Sequence, residues 1–231
     1  MPVALIAGAG GMVGRAIATR ITELGGWEVT GITRKPHAVA GLRWLALDLT
    51  DAAACRRELA ALRTVTHLFY AARYDHPEGR PEPVEINAAM LENVVNALPA
   101  GGALEHVNAV HGSKYYGHQL GPLKLPMEES DPRTAGANFY FQQEDFLREA
   151  GRKRGFSYTT VRPHTFCSAD TDTPRSIGLA IAVYAAIQRE LGLPLDFPGS
   201  ERAFGARTQF TDLGLLARAI AWMATAPRCA N

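Results

Sequence analysis

This sequence has few cysteines, almost no net charge and no long apolar run. Its three cysteines, Cys55, Cys167 and Cys229, lie far apart, which argues against a disulfide framework and fits a cytoplasmic protein. The formal net charge of +1 gives no electrostatic basis for binding nucleic acid or an anionic membrane. Apart from the N-terminal segment, the longest apolar run covers residues 177–187 and is too short to span a bilayer. We expect it to form a buried helix.

Lysine is also rare, with four copies at positions 35, 114, 124 and 153 against 20 arginines. A lysine in an unusual place is therefore informative, and Lys114 lies in a long loop over residues 111–136 that is rich in Gly, Pro and His. Loops of that length inside a domain usually carry function. The seven histidines form no HxH or HExxH motif, so we expect no metal site.

Strand-like segments alternate with helical patterns along most of the chain. Apolar, strand-like segments cover residues 3–8, 27–33, 43–48, 66–72, 105–110 and 157–163. Amphipathic helical patterns cover residues 12–25, 51–62, 83–98 and 137–154. This alternation predicts an α/β fold, a Rossmann-type doubly wound parallel sheet with helices on both faces.

After residue 163 the pattern changes. It predicts a helix at 176–191, a short strand at 195–197 and a final helix at 211–224 that is capped by Thr211 or Asp212. We therefore divide the chain into a Rossmann domain, residues 1–165, and a small second region, residues 166–231, that is interleaved with the core.

A glycine-rich turn joins the first strand to the first helix. Gly8, Gly11 and Gly14 form a G-x-x-G-x-x-G pattern, and Gly10 adds a further glycine. Glycine is needed where φ is positive, where the backbone approaches a pyrophosphate and where the helix packs closely on the sheet. We expect Gly11 to combine the first two roles. Because the helix N-terminus also offers free N–H groups to phosphates, the turn predicts a dinucleotide site, with a plain structural turn as the alternative.

The end of the second strand indicates which dinucleotide is bound. NAD sites place an acidic residue there for the ribose 2′-OH, whereas this chain has Arg34 and Lys35. Two cations without an acid suit the 2′-phosphate of NADP(H), and a solvated turn is the alternative. Asp48, which ends the third strand, is placed either to border the adenine or to cap the next helix.

Several longer motifs carry a resemblance to a known family. They are VTHLFYAA (65–72), NAAMLENVVNAL (87–98), GSKYYG (112–117), NFYFQQEDFL (138–147), TTVRPHTF (159–166) and VYAAI (183–187). With these motifs the chain resembles the extended short-chain dehydrogenases/reductases. More narrowly, it is similar to the progesterone 5β-reductase and iridoid synthase-like group of enone reductases, over nearly its whole length.

The resemblance implies that Tyr140 and Lys114 form the catalytic pair. The superfamily's usual Tyr-x-x-x-Lys is absent, because Glu144 stands four residues after Tyr140. Carried over by position, the implied cofactor contacts are Gly10, Gly11, Met12, Arg34, Lys35, Asp48, Leu49, Ala72, Arg73, Val110, Thr165 and Phe166. The chain departs from the group at Phe141, where a second tyrosine is common, and at Arg73, where tryptophan is common. The loop over residues 117–126 also differs, so the substrate itself is not carried over.

The implied reaction is the NADPH-dependent 1,4-reduction of a small-molecule enone or enal. Tyr140 would donate a hydrogen bond to the enolate oxygen, and Lys114 would stabilise its charge. Two alternatives stay open: carbonyl reduction or sugar-nucleotide chemistry with the same Tyr and Lys, and a non-catalytic NADP(H)-sensing regulator. Members of the group continue beyond residue 231, so a naturally short and a truncated chain are both compatible with the sequence. A homodimer is compatible as well.

Overall fold

A six-stranded parallel sheet forms the centre of the chain in the computed structural model, which describes residues 1–35, 41–77, 79–121, 123–168 and 176–230. Its strands are β1 (Val3–Ala7), β2 (Glu28–Thr33), β3 (Arg43–Ala46), β4 (His67–Tyr70), β5 (His106–Val110) and β6 (Ser157–Val161). They lie in the order β3-β2-β1-β4-β5-β6. The order reverses at β1, so a crevice opens beyond the carboxyl ends of β1 and β4, where such sheets bind ligands. The predicted doubly wound α/β fold is confirmed.

The helices of the described residues are α1 (Met12–Leu24), α2 (Ala52–Leu59), α3 (Val84–Ala97), α4 (Phe139–Arg154), α5 (Ile177–Glu190), α6 (Glu201–Phe204) and α7 (Leu213–Met223). Helices α1 to α4 and α7 pack on the two faces of the sheet. One core cluster joins α2, α3 and α4 to the sheet, and a second joins α1 and α7 to its other face. Among the described residues, we find no helix with the length and apolar character that crossing a membrane requires.

A small second sheet follows the main one. It pairs β7 (Thr165–Cys167) with β8 (Phe210–Asp212) in parallel. The strand predicted at 195–197 is wrong: this segment is irregular and lies between Pro194 and Pro198, which fix φ and remove backbone donors. Of the two predicted caps for the final helix, Asp212 is the N-cap, since its Oδ1 accepts a hydrogen bond from Leu215 N at 2.6 Å.

The helix predicted at 176–191 is present as α5, but the expectation that it is buried is wrong. Ile181, Val183 and Ile187 are 53%, 49% and 51% exposed. Among the described residues, α5 packs near its start, where a Cβ on Gly178 would lie 3.2 Å from Cys167 Sγ. An apolar run indicates how strongly a helix avoids water, but it does not specify which element covers it.

The glycine turn brings two backbone segments into direct contact. A Cβ on Gly14 would lie 2.1 Å from the carbonyl oxygen of Gly8, so α1 can start this close to the turn only with glycine at position 14. We expect Gly14→Ala to lower the free energy of unfolding by about 3 kcal/mol or more, because backbone must shift. Gly11→Ala is the matched control, since its Cβ would lie 3.4 Å from the same oxygen. Chemical denaturation measures both variants, and equal stabilities would contradict this packing role.

Candidate active site

The turn after β1 borders a groove of about 480 Å³. Gly8 has φ +83°, and its N–H donates to Ile32 O on β2 at 3.1 Å. A Cβ on Gly8 would lie 2.8 Å from the backbone of Ala71, so this position also requires glycine for space. The expectation of a positive φ at Gly11 is wrong: its φ is −85°, because Gly11 is the N-cap of α1 and has extended backbone. The close approach of a pyrophosphate to Gly11 stays a prediction.

The start of α1 faces the same groove. Within the described part of the chain, no side chain caps this helix, and Gly10, Gly11, Met12 and Val13 all line the groove. The N–H groups of the first turn are therefore not engaged by a capping side chain, and the positive end of the helix dipole points towards the groove. This backbone arrangement fits the phosphates of a dinucleotide.

The opposite end of the groove is formed after β2 and β3. Exposed Arg34 follows β2 and lines the groove together with Asp48 and Leu49. Asp48 accepts hydrogen bonds from Thr50 N at 2.9 Å and Thr50 Oγ1 at 2.8 Å. These bonds, with a smaller contribution from the Arg34 charge, lower the pKa of Asp48 below its usual value. The alternative of Asp48 as a helix cap is wrong, because Asp51 is the N-cap of α2.

A second cavity of about 300 Å³ adjoins the groove, and Ala72, Arg73 and Phe166 line both. Tyr140 and Lys114 line this second cavity, as do Val110 and Thr165. The structure thus brings the predicted catalytic pair to one cavity, which lies beside the predicted cofactor groove. Of the predicted site residues, all within the described ranges, Gly14 and Lys35 line neither cavity.

Tyr140 lies in the first turn of α4 and is only 7% exposed. Its ring stacks on His111, with the ring centroids 4.8 Å apart. Burial raises the pKa of the phenol to about 12, while the Arg73 charge opposes this shift. The hydroxyl therefore stays protonated at neutral pH and can act as a hydrogen-bond donor. A Cβ on Gly112 would lie 3.0 Å from the Tyr140 hydroxyl oxygen, so this glycine leaves room for the phenol.

Side chains from other segments bind Lys114 both at its ammonium group and at its backbone carbonyl. Its Nζ donates to Glu82 Oε2 at 2.7 Å. Its backbone carbonyl accepts from Asn138 Nδ2 at 2.9 Å, and Asn138 Oδ1 accepts from Tyr140 N at 3.0 Å, which makes Asn138 the N-cap of α4. One asparagine side chain thus joins the segment of Lys114 to the helix of Tyr140.

Glu144, in the position where the superfamily usually has lysine, lies in a different environment. Its Oε2 accepts from the Tyr115 hydroxyl at 2.5 Å and from Arg133 at 3.0 Å, while Oε1 lies 3.8 Å from Arg162. Arg162 in turn stacks over the Tyr115 ring at 3.5 Å. Glu144 therefore stabilises the packing of the 113–116 segment, which contains Lys114, against α4.

Sequence reasoning did not identify Glu82, Asn138, Gly112 or His111 as parts of this site. Asn138 and Gly112 stand inside the motifs NFYFQQEDFL and GSKYYG, so a signal for them was present. His111 stands three residues before Lys114 in the sequence, but nothing in that spacing indicates its contact with Tyr140. Glu82 lies in none of the motifs. An acidic residue just before a helix is also typical of an ordinary solvated helix start, so its position gave no signal of a functional role.

His111 offers a pH test of this packing. It is 3% exposed, and neither ring nitrogen has a hydrogen-bond partner among the described residues. Burial, with Arg162 and Arg133 nearby, lowers the pKa of His111 to about 3. Because the unfolded chain protonates this group near pH 6.5 and the folded chain does not, stability falls as the pH drops from 6.5 towards 3.

We expect His111→Phe to reduce the pH dependence of stability by about 1.4 kcal/mol per pH unit below pH 6.5. Urea denaturation between about pH 5 and 8 measures this slope. The variant retains an aromatic ring beside Tyr140, so the comparison isolates the titrating group. An unchanged slope would contradict a neutral, buried His111.

The family model described as the NAD dependent epimerase/dehydratase family matches residues 4–230. This match covers the sheet, the glycine turn and both cavities. The chain belongs to this family.

Curated relatives place the chain near one branch of the epimerase/dehydratase family. It is 34% identical over 247 residues to the 3-oxo-Delta(4,5)-steroid 5-beta-reductase of Arabidopsis thaliana. It is 32% identical over 248 residues to the (S)-8-oxocitronellyl enol synthase of Camptotheca acuminata. Each alignment covers 99% of this chain, and the chain spans 63% of each relative's length. The resemblance to the progesterone 5β-reductase and iridoid synthase-like group is confirmed.

Solved structures of this fold include sugar-nucleotide epimerases. The UDP-N-acetylglucosamine 4-epimerase of Bacillus cereus has a TM-score of 0.74 at 14% identity, covering 100% of this chain and 74% of that chain. The UDP-glucose 4-epimerase of Thermus thermophilus, complexed with NAD, has a TM-score of 0.72 at 19% identity, covering 98% of this chain and 75% of that chain. At these identities the comparison shows the shared fold.

Proposed function

We propose that this chain is an NADPH-dependent reductase of α,β-unsaturated carbonyl compounds, either enones or enals. The observation that carries the proposal is the common position of Tyr140 and Lys114 on one cavity that adjoins the groove of the glycine turn. The names of the two relatives, a steroid 5-beta-reductase and an enol synthase, support the same class of chemistry.

The roles of the chain's own residues follow from charge development in a 1,4-reduction. Bound NADPH would supply the hydride that adds to the β-carbon of the substrate. Negative charge then develops on the carbonyl oxygen, to which the protonated Tyr140 hydroxyl would donate a hydrogen bond. A proton from water would then add to the α-carbon of the enolate and give the saturated carbonyl compound. A donor aimed at such an oxygen contributes about 10²–10³ in rate. Lys114 and Arg73, two cations at the cavity wall, would lower the energy of the same charge.

The preference for NADPH rests on the end of β2. Arg34 is exposed there and lines the groove, and Lys35 follows it directly. The strand ends at Thr33, so no acidic residue stands where NAD sites place one. A guanidinium binds a phosphate through two parallel hydrogen bonds, whereas a ribose 2′-OH is best bound by a carboxylate. This arrangement supports the 2′-phosphate of NADPH as the ligand of Arg34.

The reaction is tested by following NADPH oxidation over a panel of enones and enals and by identifying the products. We expect the saturated ketone or aldehyde, with the carbonyl group intact. An allylic alcohol would instead indicate carbonyl reduction. NADPH binding without turnover of any panel member would favour the non-catalytic regulator, and either outcome would replace the proposal.

A further inference from the structure

A single carboxylate joins the two cations of the second cavity. Glu82 Oε2 accepts from Lys114 Nζ at 2.7 Å, and both Glu82 oxygens accept from one Arg73 nitrogen, at 2.9 and 3.0 Å. Lys114 follows β5 and Arg73 follows β4, so Glu82 connects the ends of two neighbouring strands. His76 Nε2 lies further away, 3.7 Å from Oε2. The Glu82 side chain is 21% exposed, so solvent screens these ion pairs only in part.

The backbone before α3 fixes the position of Glu82. Asn87 is fully buried on α3, and its side chain accepts from Tyr74 N at 2.7 Å and donates to Tyr74 O and Pro83 O. Gln143, three residues after Tyr140 on α4, donates to Asn87 O at 2.8 Å. A network of buried amides therefore connects the helix of Tyr140 to the residue that follows Glu82.

The charge of Glu82 persists at neutral pH despite partial burial. Burial acts to raise the pKa of the carboxyl, but the hydrogen bonds from Lys114 and Arg73 outweigh it and hold the pKa below its usual value. An ionised, anchored carboxylate restricts a lysine that would otherwise sample many rotamers along its four-carbon stem.

We propose that Glu82 is a positioning residue that holds Lys114 Nζ and the Arg73 guanidinium at the wall of the Tyr140 cavity. This inference rests on the proposed reductase function. Without Glu82 the ammonium group would be free to leave the cavity wall, and stabilisation of the developing negative charge would depend on how often it returned. Catalysis is sensitive to such displacement because electrostatic stabilisation requires charges that are already in place.

Three variants test whether the charge of Glu82 positions Lys114 for catalysis or only contributes an ion pair to the structure. Glu82→Gln keeps the shape of the side chain and removes its charge, Glu82→Asp keeps the charge on a shorter stem, and Glu85→Gln, at an exposed position on α3, is the matched control. We expect Glu82→Gln to lower kcat by about 10- to 100-fold at saturating NADPH, with Glu82→Asp partly restoring it. In a Lys114→Ala background, Glu82→Gln should have a much smaller effect, because most of its action passes through Lys114.

A spectroscopic measurement tests the contact independently of activity. The chain has four lysines, so reductive methylation with ¹³C-formaldehyde gives few NMR signals, and loss of one in Lys114→Arg assigns Lys114. We expect Glu82→Gln to move and narrow the Lys114 signal, while Glu85→Gln leaves it unchanged.

An unchanged Lys114 signal in folded Glu82→Gln would overturn the proposal, whatever happens to kcat. A changed signal with kcat unaffected would also overturn it, since the contact would then be structural. If the unsubstituted chain reduces no enone or enal while the signal responds as expected, the reductase function fails and the Glu82–Lys114 contact stands as an ion pair without a catalytic role.

Discussion

Tyr140→Phe will slow enone reduction by about 10²- to 10³-fold at saturating NADPH. The substitution removes one hydroxyl and leaves a ring that still stacks on His111, so packing around the buried position is retained. If the phenol donates to the developing enolate oxygen, its loss affects the chemical step and leaves NADPH affinity nearly unchanged. Single-turnover kinetics with a ketone substrate measure the step directly, because product release does not contribute to them.

Tyr184→Phe is the matched control for this experiment. It makes the same chemical change on α5, where the hydroxyl donates to Asp196 O at 2.9 Å, and Tyr184 is not among the described residues that line the two cavities. We expect this variant to retain full activity. Full activity of Tyr140→Phe with a ketone substrate would remove Tyr140 from the mechanism.

Arg34→Ala will weaken NADPH binding by about 10- to 150-fold, which corresponds to a lost charge-assisted hydrogen bond of about 1.5–3 kcal/mol. NADH affinity should change little, because NADH has no 2′-phosphate for the guanidinium to bind. Fluorescence titration of the reduced cofactors measures both dissociation constants.

Lys35→Ala provides the comparison for Arg34→Ala. Lys35 is also exposed, but it is not among the described residues that line the groove. We expect a smaller loss of NADPH affinity there, of the size that general attraction between exposed charges produces. Equal loss of NADPH and NADH affinity in Arg34→Ala would contradict the assignment of the 2′-phosphate to this residue.

The parts of the fold that depend on residues close together in the sequence were predictable. The six main strands and helices α1 to α4 follow from alternating apolar runs and helical periodicity, both of which are local. The glycine turn was recognisable for the same reason. The sequence did not indicate which of these glycines has a positive φ. A glycine pattern shows where side chains are absent, but it does not show whether a positive φ or a lack of space requires that absence. Gly8 has the positive φ, and Gly14 has the tightest packing.

Contacts between distant segments were not predictable in this way. Glu82 and Lys114 are 32 positions apart, and no periodicity connects an acidic residue before α3 with a loop after β5. The expectation that α5 is buried was wrong for a related reason, since an apolar composition does not specify which element packs against the helix. The resemblance implied Lys114 and Tyr140 as a pair, whereas the carboxylate of Glu82 beside Lys114 is evident only in the structure.

Asn138 has a consequence for how this part of the molecule opens and closes. Its Oδ1 caps α4 at Tyr140 N, and its Nδ2 binds the carbonyl of Lys114, so both ends of one amide are engaged at the same time. Unravelling the first turn of α4 therefore removes one anchor of the 113–116 segment, and detaching that segment weakens the first turn. Native-state hydrogen exchange should find that the opening of the two segments is coupled. Asn138→Ala should weaken this coupling and leave the contact between Tyr115 and Glu144 in place.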